Sequence, residues 1–279
     1  MTRVAIALKT FALAAALILA PAAAADVTTT DTTLNGRPVR VDVHRPTGAP
    51  QGAVILAHGF LRSRATMAGH AAALAGQGVL AIAPDLPSLT DSRDNATALV
   101  ELVAKVRAGV FGAPVDRVVL VGFSAGGLAA LLAAATPGVV GYVGLDAFDR
   151  PGGVGLAAAR ALRTPAVLLR GPRAFCNAYG IALPWSGALR GLAEERLFDG
   201  ASHCDFEAPT DRWCTLLCGA TDPARQRDVS EALQAAVQRF LAPATAQPAS
   251  ATTADPLREA GRQAAALIEP GRRDSSPVP

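Results

Sequence analysis

Residues 117–127 read RVVLVGFSAGG and carry the clearest structural signal in the chain. The apolar run 117–121 is typical of a buried strand, and the small apolar residues at 125–135 are typical of a helix that follows at once. Ser124 stands between them with a glycine two positions away on each side, which is the pattern of a nucleophile elbow. In such an elbow, a sharp strand-to-helix turn exposes the serine hydroxyl. The alternative is a glycine-rich turn that only caps the helix.

Short apolar runs of the same kind recur along the chain and alternate with helical periodicity. The predicted buried strands are 54–57, 79–83, 117–121, 139–145, 166–170 and 195–198, and the predicted helices are 65–75, 95–108, 125–135 and 222–241. An Asn35-Gly36 turn beside a stretch of alternating residues predicts a hairpin over 27–44. Strands that alternate with helices are typical of βαβ units. We therefore expect an α/β fold with a mostly parallel central sheet and helices on both faces.

The N-terminal residues 1–25 have the features of a secretory signal peptide. A basic start is followed by the apolar run 11–20 and by alanines that lead to Asp26. Because that run is too short to span a bilayer comfortably, we expect cleavage after Ala25, no membrane span afterwards, and a periplasmic or secreted protein, with a retained anchor as the alternative. The remaining chain divides into one domain at 26–242 and a Pro/Ala-rich linker and tail at 243–279, in which 256–268 could form a short helix.

Composition and charge exclude several classes of function. Hydrophobic residues make up 51% of the 279 and charged residues 18%, which excludes disorder for most of the chain. The 26 basic and 23 acidic residues give a net charge of +3, and removal of Arg3 and Lys9 leaves 24 against 23, or +1. So weak a charge does not favour nucleic acid or an anionic membrane as a partner. The sequence carries no signal for an oligomeric state.

Four cysteines occur in the chain, at Cys176, Cys204, Cys214 and Cys218. An even number in an exported protein favours two disulfides, for which three pairings exist. The three-residue gap between Cys214 and Cys218 does not match the C-x-x-C spacing of zinc sites, so we predict no metal site. Since Cys176 and Cys204 both lie beyond strands at the same sheet edge, our hypothesis pairs them with each other and Cys214 with Cys218.

One histidine is positioned to act as a general base. In enzymes with this type of elbow, the base follows the nucleophile along the chain. Three of the four histidines precede Ser124, and only His203 follows it, just beyond the last predicted strand. We therefore assign His203 as the base, with a surface loop histidine as the alternative. We interpret His58, which directly follows strand 54–57, as structural.

The acid of a triad should lie at a strand end between the nucleophile and the base. Asp146 follows the predicted strand 139–145 directly, and Asp149 comes three residues later. We favour Asp146 because the first residue beyond a strand is held most rigidly, and Asp149 is the alternative. Asp205 and Glu207 are close to His203 in sequence but lie outside the expected position.

Two backbone N–H groups are candidates for an oxyanion hole. One donor in such enzymes belongs to the residue after the nucleophile, and the other to the loop after an earlier strand. These positions are Ala125 and Phe60, the second of which ends the segment His58-Gly59-Phe60. Each N–H would stabilise the negative charge that develops on the carbonyl oxygen.

With these motifs, the chain resembles the α/β-hydrolase superfamily and, within it, chlorophyllase-like and dienelactone-hydrolase-like serine esterases. The resemblance covers 37–241 and rests on the segments 58–60, 122–127, 144–149 and 203–207. It implies an α/β-hydrolase fold that cleaves carboxylic esters through Ser124, His203 and Asp146, with an acyl-enzyme intermediate and no metal or organic cofactor. The expected partner is a small-molecule or lipid-like ester. The alternatives are an acyltransferase, a hydrolase of polyesters or lipids, and a non-catalytic binding module.

Aromatic residues are few, at 5% of the chain, yet several adjoin the predicted site loops. The predicted cleft residues are Phe60, Phe123, Phe148, Phe175, Trp185 and Phe206, and Tyr179 is near them in sequence. They would form an apolar cleft suited to acyl or aromatic ester groups, unless they simply belong to the core. Trp185 lies in the segment 171–194, which we expect to form a wall or lid of the site.

Overall fold

The computed structural model of the chain describes residues 26–243. The predicted signal peptide at 1–25 and the tail from 244 onward, with its predicted helix at 256–268, lie outside the described residues. Within the part described, no helix is both long and apolar enough to span a membrane.

One eight-stranded sheet forms the centre of the described region, in the order β1-β2-β4-β3-β5-β6-β7-β8. The strands are β1 (Asp26–Leu34), β2 (Arg37–Arg45), β3 (Ala53–Ala57), β4 (Leu80–Pro84), β5 (Val118–Phe123), β6 (Val139–Leu145), β7 (Ala166–Arg170) and β8 (Leu192–Leu197). The strands from β3 to β8 pair in parallel, while β1 and β2 form an antiparallel hairpin that joins β4. The predicted α/β fold and the hairpin are therefore confirmed.

Helices cover both faces of this sheet. They are α1 (Ala68–Gly76), α2 (Ser92–Arg107), α3 (Ala125–Ala133), α4 (Val154–Ala161), α5 (Pro184–Ala188), α6 (Arg212–Cys218) and α7 (Pro223–Leu241). Side chains of α2, α3 and α4 pack in one apolar layer, and those of α1 and α7 pack in the other. Because both faces are covered, the central strands read as continuous apolar runs, as in β3, where every residue is buried.

Five elements differ from the sequence-based expectation. Helix α2 begins at Ser92 rather than at residue 95, because the Asp91 side chain caps its first turn. The short helices α4, α5 and α6 were not predicted, since five to eight residues carry too little periodicity to be recognised. Strand β8 begins at Leu192 rather than at residue 195, because it lies at the sheet edge, where most of its residues are exposed and half are charged, so that no continuous apolar run marks it. Asp211 begins α6, since its side chain accepts hydrogen bonds from the backbone N–H groups of Trp213 and Cys214.

The register of the parallel strands places several loops at one edge of the sheet. Ala57 is paired with Gly122, Phe123 with Leu145, and Leu145 with Leu169. The carboxyl ends of β3, β5, β6 and β7 therefore lie side by side, and the loops that follow them meet there. Ligand sites of open parallel sheets occur at this edge.

Candidate active site

Ser124 occupies the sharp turn between β5 and α3. Its backbone φ is +52°, which is rare for a residue with a side chain, and its N–H donates to the carbonyl of Leu145 at 3.0 Å. The neighbouring glycines make this turn possible. A Cβ on Gly122 would lie 2.3 Å from the Gly126 carbonyl oxygen, and one on Gly126 would lie 2.3 Å from the His58 carbonyl oxygen. The turn therefore has the form of the predicted elbow.

Asp146 and His203 are in direct contact at the same edge. The Nδ1 atom of His203 lies 2.6 Å from Oδ2 of Asp146, and both side chains are buried. The other carboxylate oxygen accepts a hydrogen bond from the Gly171 N–H at 3.0 Å. The ring of Phe123, next to Ser124, lies 4.6 Å from the His203 ring centre. Ser124 and His203 line one cleft.

Asp149, the alternative acid, forms hydrogen bonds with other groups than His203. Its carboxylate accepts hydrogen bonds from the backbone N–H groups of Arg150, Gly155 and Leu156 and from the indole N–H of Trp185, at 2.7–3.0 Å. It thereby caps the first turn of α4 and fixes Trp185. The structure thus brings Asp146, and not Asp149, to His203.

The carboxylates next to His203 in sequence also have other partners. Asp205 accepts hydrogen bonds from the backbone N–H groups of Ser202 and Asp222, at 2.8 Å each. Glu207 is fully buried and forms a two-point ion pair with Arg62, at 2.6 and 2.9 Å. Burial raises the pKa of Glu207, although the Arg62 guanidinium opposes this. This pair joins the loop after β3 to the segment that carries His203.

Asn177 is a buried neighbour of Asp146 that sequence reasoning missed. Its Nδ2 lies 3.2 Å from each oxygen of Asp146 and donates to the Pro172 carbonyl at 2.8 Å. Its Oδ1 accepts from the backbone N–H groups of Ala174 and Gly180. The amide therefore holds both the carboxylate and its loop. The sequence offered one signal for Asn177. It directly follows Cys176 in the loop after β7, and that loop carries no carboxylate of its own.

His58 holds the loop that contains Phe60. Its Nε2 accepts a hydrogen bond from the Leu86 N–H at 2.9 Å, so the ring proton is on Nδ1, which donates to the Gly59 carbonyl at 2.8 Å. Burial lowers the pKa of His58, although the hydrogen bond to Gly59 opposes this. The neutral ring therefore ties the β3 loop to the β4 loop, as expected of a structural histidine.

The two predicted oxyanion donors lie in the same region. Ala125 is the first residue of α3, so its N–H has no partner within the helix, and the positive end of the helix dipole is there. Phe60 lies in the loop held by His58, and both residues line the cleft that contains Ser124.

The cleft at this edge has a volume of about 830 Å³. The aromatic residues Phe60, Phe123, Phe148 and Phe175 line it, as do segments from the β4 loop and α6. Because β4 and β7 lie on opposite sides of β5 in the sheet, the cleft extends to both sides of Ser124. The charged residues in its lining are Arg62, Arg150 and Asp211, and Arg62 is paired with Glu207 and Asp211.

Two predicted cleft aromatics lie elsewhere, and their assignment is corrected. Trp185 is fully buried on the α4 side of the sheet, where its indole N–H binds Asp149. Phe206 is fully buried in the opposite apolar layer and packs edge-on against Phe198. Both follow strands at the correct edge, but their side chains point into the core. The segment 171–194 therefore contributes to the cleft only through its first part, at Phe175 and Cys176.

The four cysteines form two disulfides, but the hypothesised pairing was wrong. Cys176 is bonded to Cys218, and Cys204 to Cys214. The reason is the unpredicted helix α6, which places Cys214 and Cys218 one turn apart on a face that both other cysteines reach. The sulfurs of Cys204, Cys214 and Cys218 lie within 4.8 Å of one another, yet each belongs to a disulfide and none is a free thiolate.

Comparisons with known proteins agree with this architecture. A model of the alpha/beta hydrolase family matches residues 54–272. The chain is similar in structure to a dienelactone hydrolase from Anabaena variabilis ATCC 29413, with a TM-score of 0.60, 21% identity, and 78% of this chain and 99% of that chain covered. It is also similar to the esterase domain of a Rhodothermus marinus protein, with a TM-score of 0.59, 19% identity, and coverage of 78% and 100%. A comparison with curated proteins gave no match.

Proposed function

Since the chain belongs to the alpha/beta hydrolase family, we propose that it is a serine hydrolase that cleaves carboxylic esters with Ser124 as nucleophile. The observation that carries this proposal is the 2.6 Å contact between Asp146 and His203 beside the strained turn of Ser124. Asp146 occupies Nδ1 of His203, which leaves Nε2 as the ring nitrogen that can accept a proton. This division of roles is that of a Ser-His-Asp triad.

In the proposed reaction, Oγ of Ser124 attacks the ester carbonyl carbon while Nε2 of His203 takes the hydroxyl proton. The N–H groups of Phe60 and Ala125 stabilise the resulting oxyanion, an effect worth about 3 kcal/mol per donor. The tetrahedral intermediate then collapses, and His203 returns the proton to the departing alkoxide. Water, activated by His203 in the same way, attacks the acyl-enzyme and releases the carboxylic acid.

The lining of the cleft supports an uncharged ester as the substrate. Four phenylalanines contribute to it, Arg62 is already neutralised by two carboxylates, and Arg150 is an exposed cation of the lining. An apolar cleft of this kind favours acyl and alkyl groups, and a few polar groups orient the reacting carbonyl.

The compartment is also part of the proposal. Two disulfides beside the cleft are consistent with an oxidising environment, in agreement with the signal peptide predicted at 1–25. We therefore place the enzyme in the periplasm or outside the cell.

Hydrolysis of p-nitrophenyl butyrate tests the proposal. We expect Ser124→Ala to lower kcat by at least about 10⁴-fold, because the nucleophile is lost while the fold remains. Ser88→Ala is the matched control, since Ser88 lines the same cleft but its hydroxyl only accepts the Asp91 N–H. It should retain kcat within about threefold, as expected for a loop hydrogen bond on the surface. Undiminished hydrolysis by Ser124→Ala would exclude this serine as the nucleophile.

A further inference from the structure

The exposed apolar side chains of the described region are concentrated around the cleft. Half of the large hydrophobic residues that it exposes line the cleft, namely Phe60, Leu61, Leu89, Phe175, Trp213 and Leu217. We call these six residues the apolar rim. Contiguous exposed apolar surface of this kind marks a binding site.

Helix α6 is the most unusual part of this surface. Trp213, Leu216 and Leu217 are 59%, 74% and 68% exposed. Their spacing of three and four residues puts them on one face of the helix. A surface helix normally turns such a face toward the core. In α6 it faces solvent instead, while Cys214 and Cys218 connect the helix covalently to the protein.

The position of α6 limits what can cover this face. Trp213 and Leu217 belong both to the face and to the lining of the cleft that holds Ser124. A second copy of the chain or a protein partner bound there would cover the cleft and block access to Ser124. A surface that itself consists of ester molecules would cover the same face and deliver substrate.

The charges near α6 indicate which kind of surface fits. The guanidinium of Arg212 stacks over the Trp213 ring at 5.3 Å, and Asp211 is paired with Arg62. Tryptophan and arginine side chains suit a boundary between an apolar phase and water. The net charge of +3 for the whole chain, or +1 without Arg3 and Lys9, gives little attraction to an anionic bilayer. An uncharged lipid surface is the better match.

We propose that α6 and the apolar rim dock on the surface of an aggregated, uncharged lipid ester and thereby present its ester groups to Ser124. This inference rests on the proposed esterase function, whose substrate class it specifies. A dissolved short ester that fits within the cleft would leave Leu216 uncovered, whereas a droplet surface would cover it.

Leu216→Gln tests the proposal, because Leu216 is the most exposed residue of this face and does not line the cleft. We expect hydrolysis of a tributyrin emulsion to fall about tenfold as one leucine contact is lost, with p-nitrophenyl butyrate hydrolysis unchanged within about twofold. Val110→Gln is the matched control. Val110 is 59% exposed and precedes β5 at the opposite sheet edge, so this change should affect neither substrate.

Flotation with droplets of a glycerol trialkyl ether, which contains no ester, measures docking separately from hydrolysis. The full chain should float with these droplets and Leu216→Gln should float much less, whether or not the chain hydrolyses esters. Equal flotation of the two proteins, or an equal loss of both hydrolytic activities, would overturn the proposal. So would a dimer of the full chain that Leu216→Gln converts to a monomer in sedimentation, since the face would then be covered by a second copy.

Discussion

Asn177 links the loop after β7 to the carboxylate of Asp146, so its amide should act as a positioning group. We expect Asn177→Ala to lower kcat about 10-fold to 100-fold, because a buried carboxylate loses a hydrogen-bond donor. KM should not change, since Asn177 does not line the cleft. Asn177→Asp should lower kcat further, because a second carboxylate would face Asp146. Steady-state kinetics on p-nitrophenyl butyrate measure both constants.

Asn95→Ala provides the control for loss of structure. Asn95 is also a buried amide, and it holds a loop of the same cleft by bonding both backbone groups of Ser88. It should reduce thermal stability as Asn177→Ala does, but without a comparable loss of kcat. A loss of kcat that tracks the melting temperature in both variants would show that Asn177 only stabilises the loop.

At the scale of single residues, sequence reasoning predicts which side chains meet best where chain order and strand ends constrain the answer. Ser124, Asp146 and His203 each follow a strand, so a parallel sheet brings them to one edge. The prediction that Trp185 lines the cleft was wrong, because the direction of a loop side chain depends on the residue that it contacts. That residue is Asp149, whose role as the cap of α4 was not visible before the helix was known.

Among the elements, α1 carries a buried histidine that should make stability depend on pH. Nε2 of His70 lies 3.2 Å from the Phe206 carbonyl oxygen, and its Nδ1 has no hydrogen-bond partner among residues 26–243. Burial lowers its pKa from 6.5 to about 4. Between these two pH values the unfolded chain binds a proton that the folded protein does not. The free energy of unfolding should therefore have its full value above pH 6.5. It should fall by about 3 kcal/mol as the pH is lowered toward 4.

Urea unfolding at pH values from 4 to 7 measures this dependence. His70→Gln can keep a donor to the Phe206 carbonyl but does not titrate, so its stability should vary less with pH than that of the unchanged chain. Burial also lowers the pKa of His44 and His58, so part of the slope should remain in the variant. Identical slopes in the two proteins would contradict the assignment to His70.

The elements themselves were predictable in proportion to their length and burial. The hairpin and α7 have clear periodicity, the central strands are continuous apolar runs, and all of them occur within a few residues of the predicted bounds. Helix α6 has seven residues, and its apolar face is exposed, so neither length nor pattern marked it. The disulfide pairing was predicted incorrectly for the same reason, because both bonds end on this helix.

On the scale of the whole molecule, one parallel sheet explains most features of the chain. Its strands are buried on both faces, which accounts for much of the 51% hydrophobic content. One cleft lies at its carboxyl edge, and it is surrounded by the elbow, the His203–Asp146 pair, the β3 loop and α6. The order of strands and helices can therefore be predicted from the hydrophobic pattern of the sequence. The exposed apolar rim depends on side-chain directions, which only the structure provides.

The rate at which a fluorophosphonate labels the protein, with the modified residue identified by peptide mapping, tests the triad most directly. We expect a single adduct on Ser124, with labelling slowed by about 10⁴-fold in Asp146→Asn, because His203 would lose its orienting carboxylate. Asp149→Asn should label at nearly the normal rate, since Asp149 holds α4 and Trp185 instead. An adduct on another residue, or equal labelling of the unchanged chain and Asp146→Asn, would contradict the assignment of Ser124, His203 and Asp146.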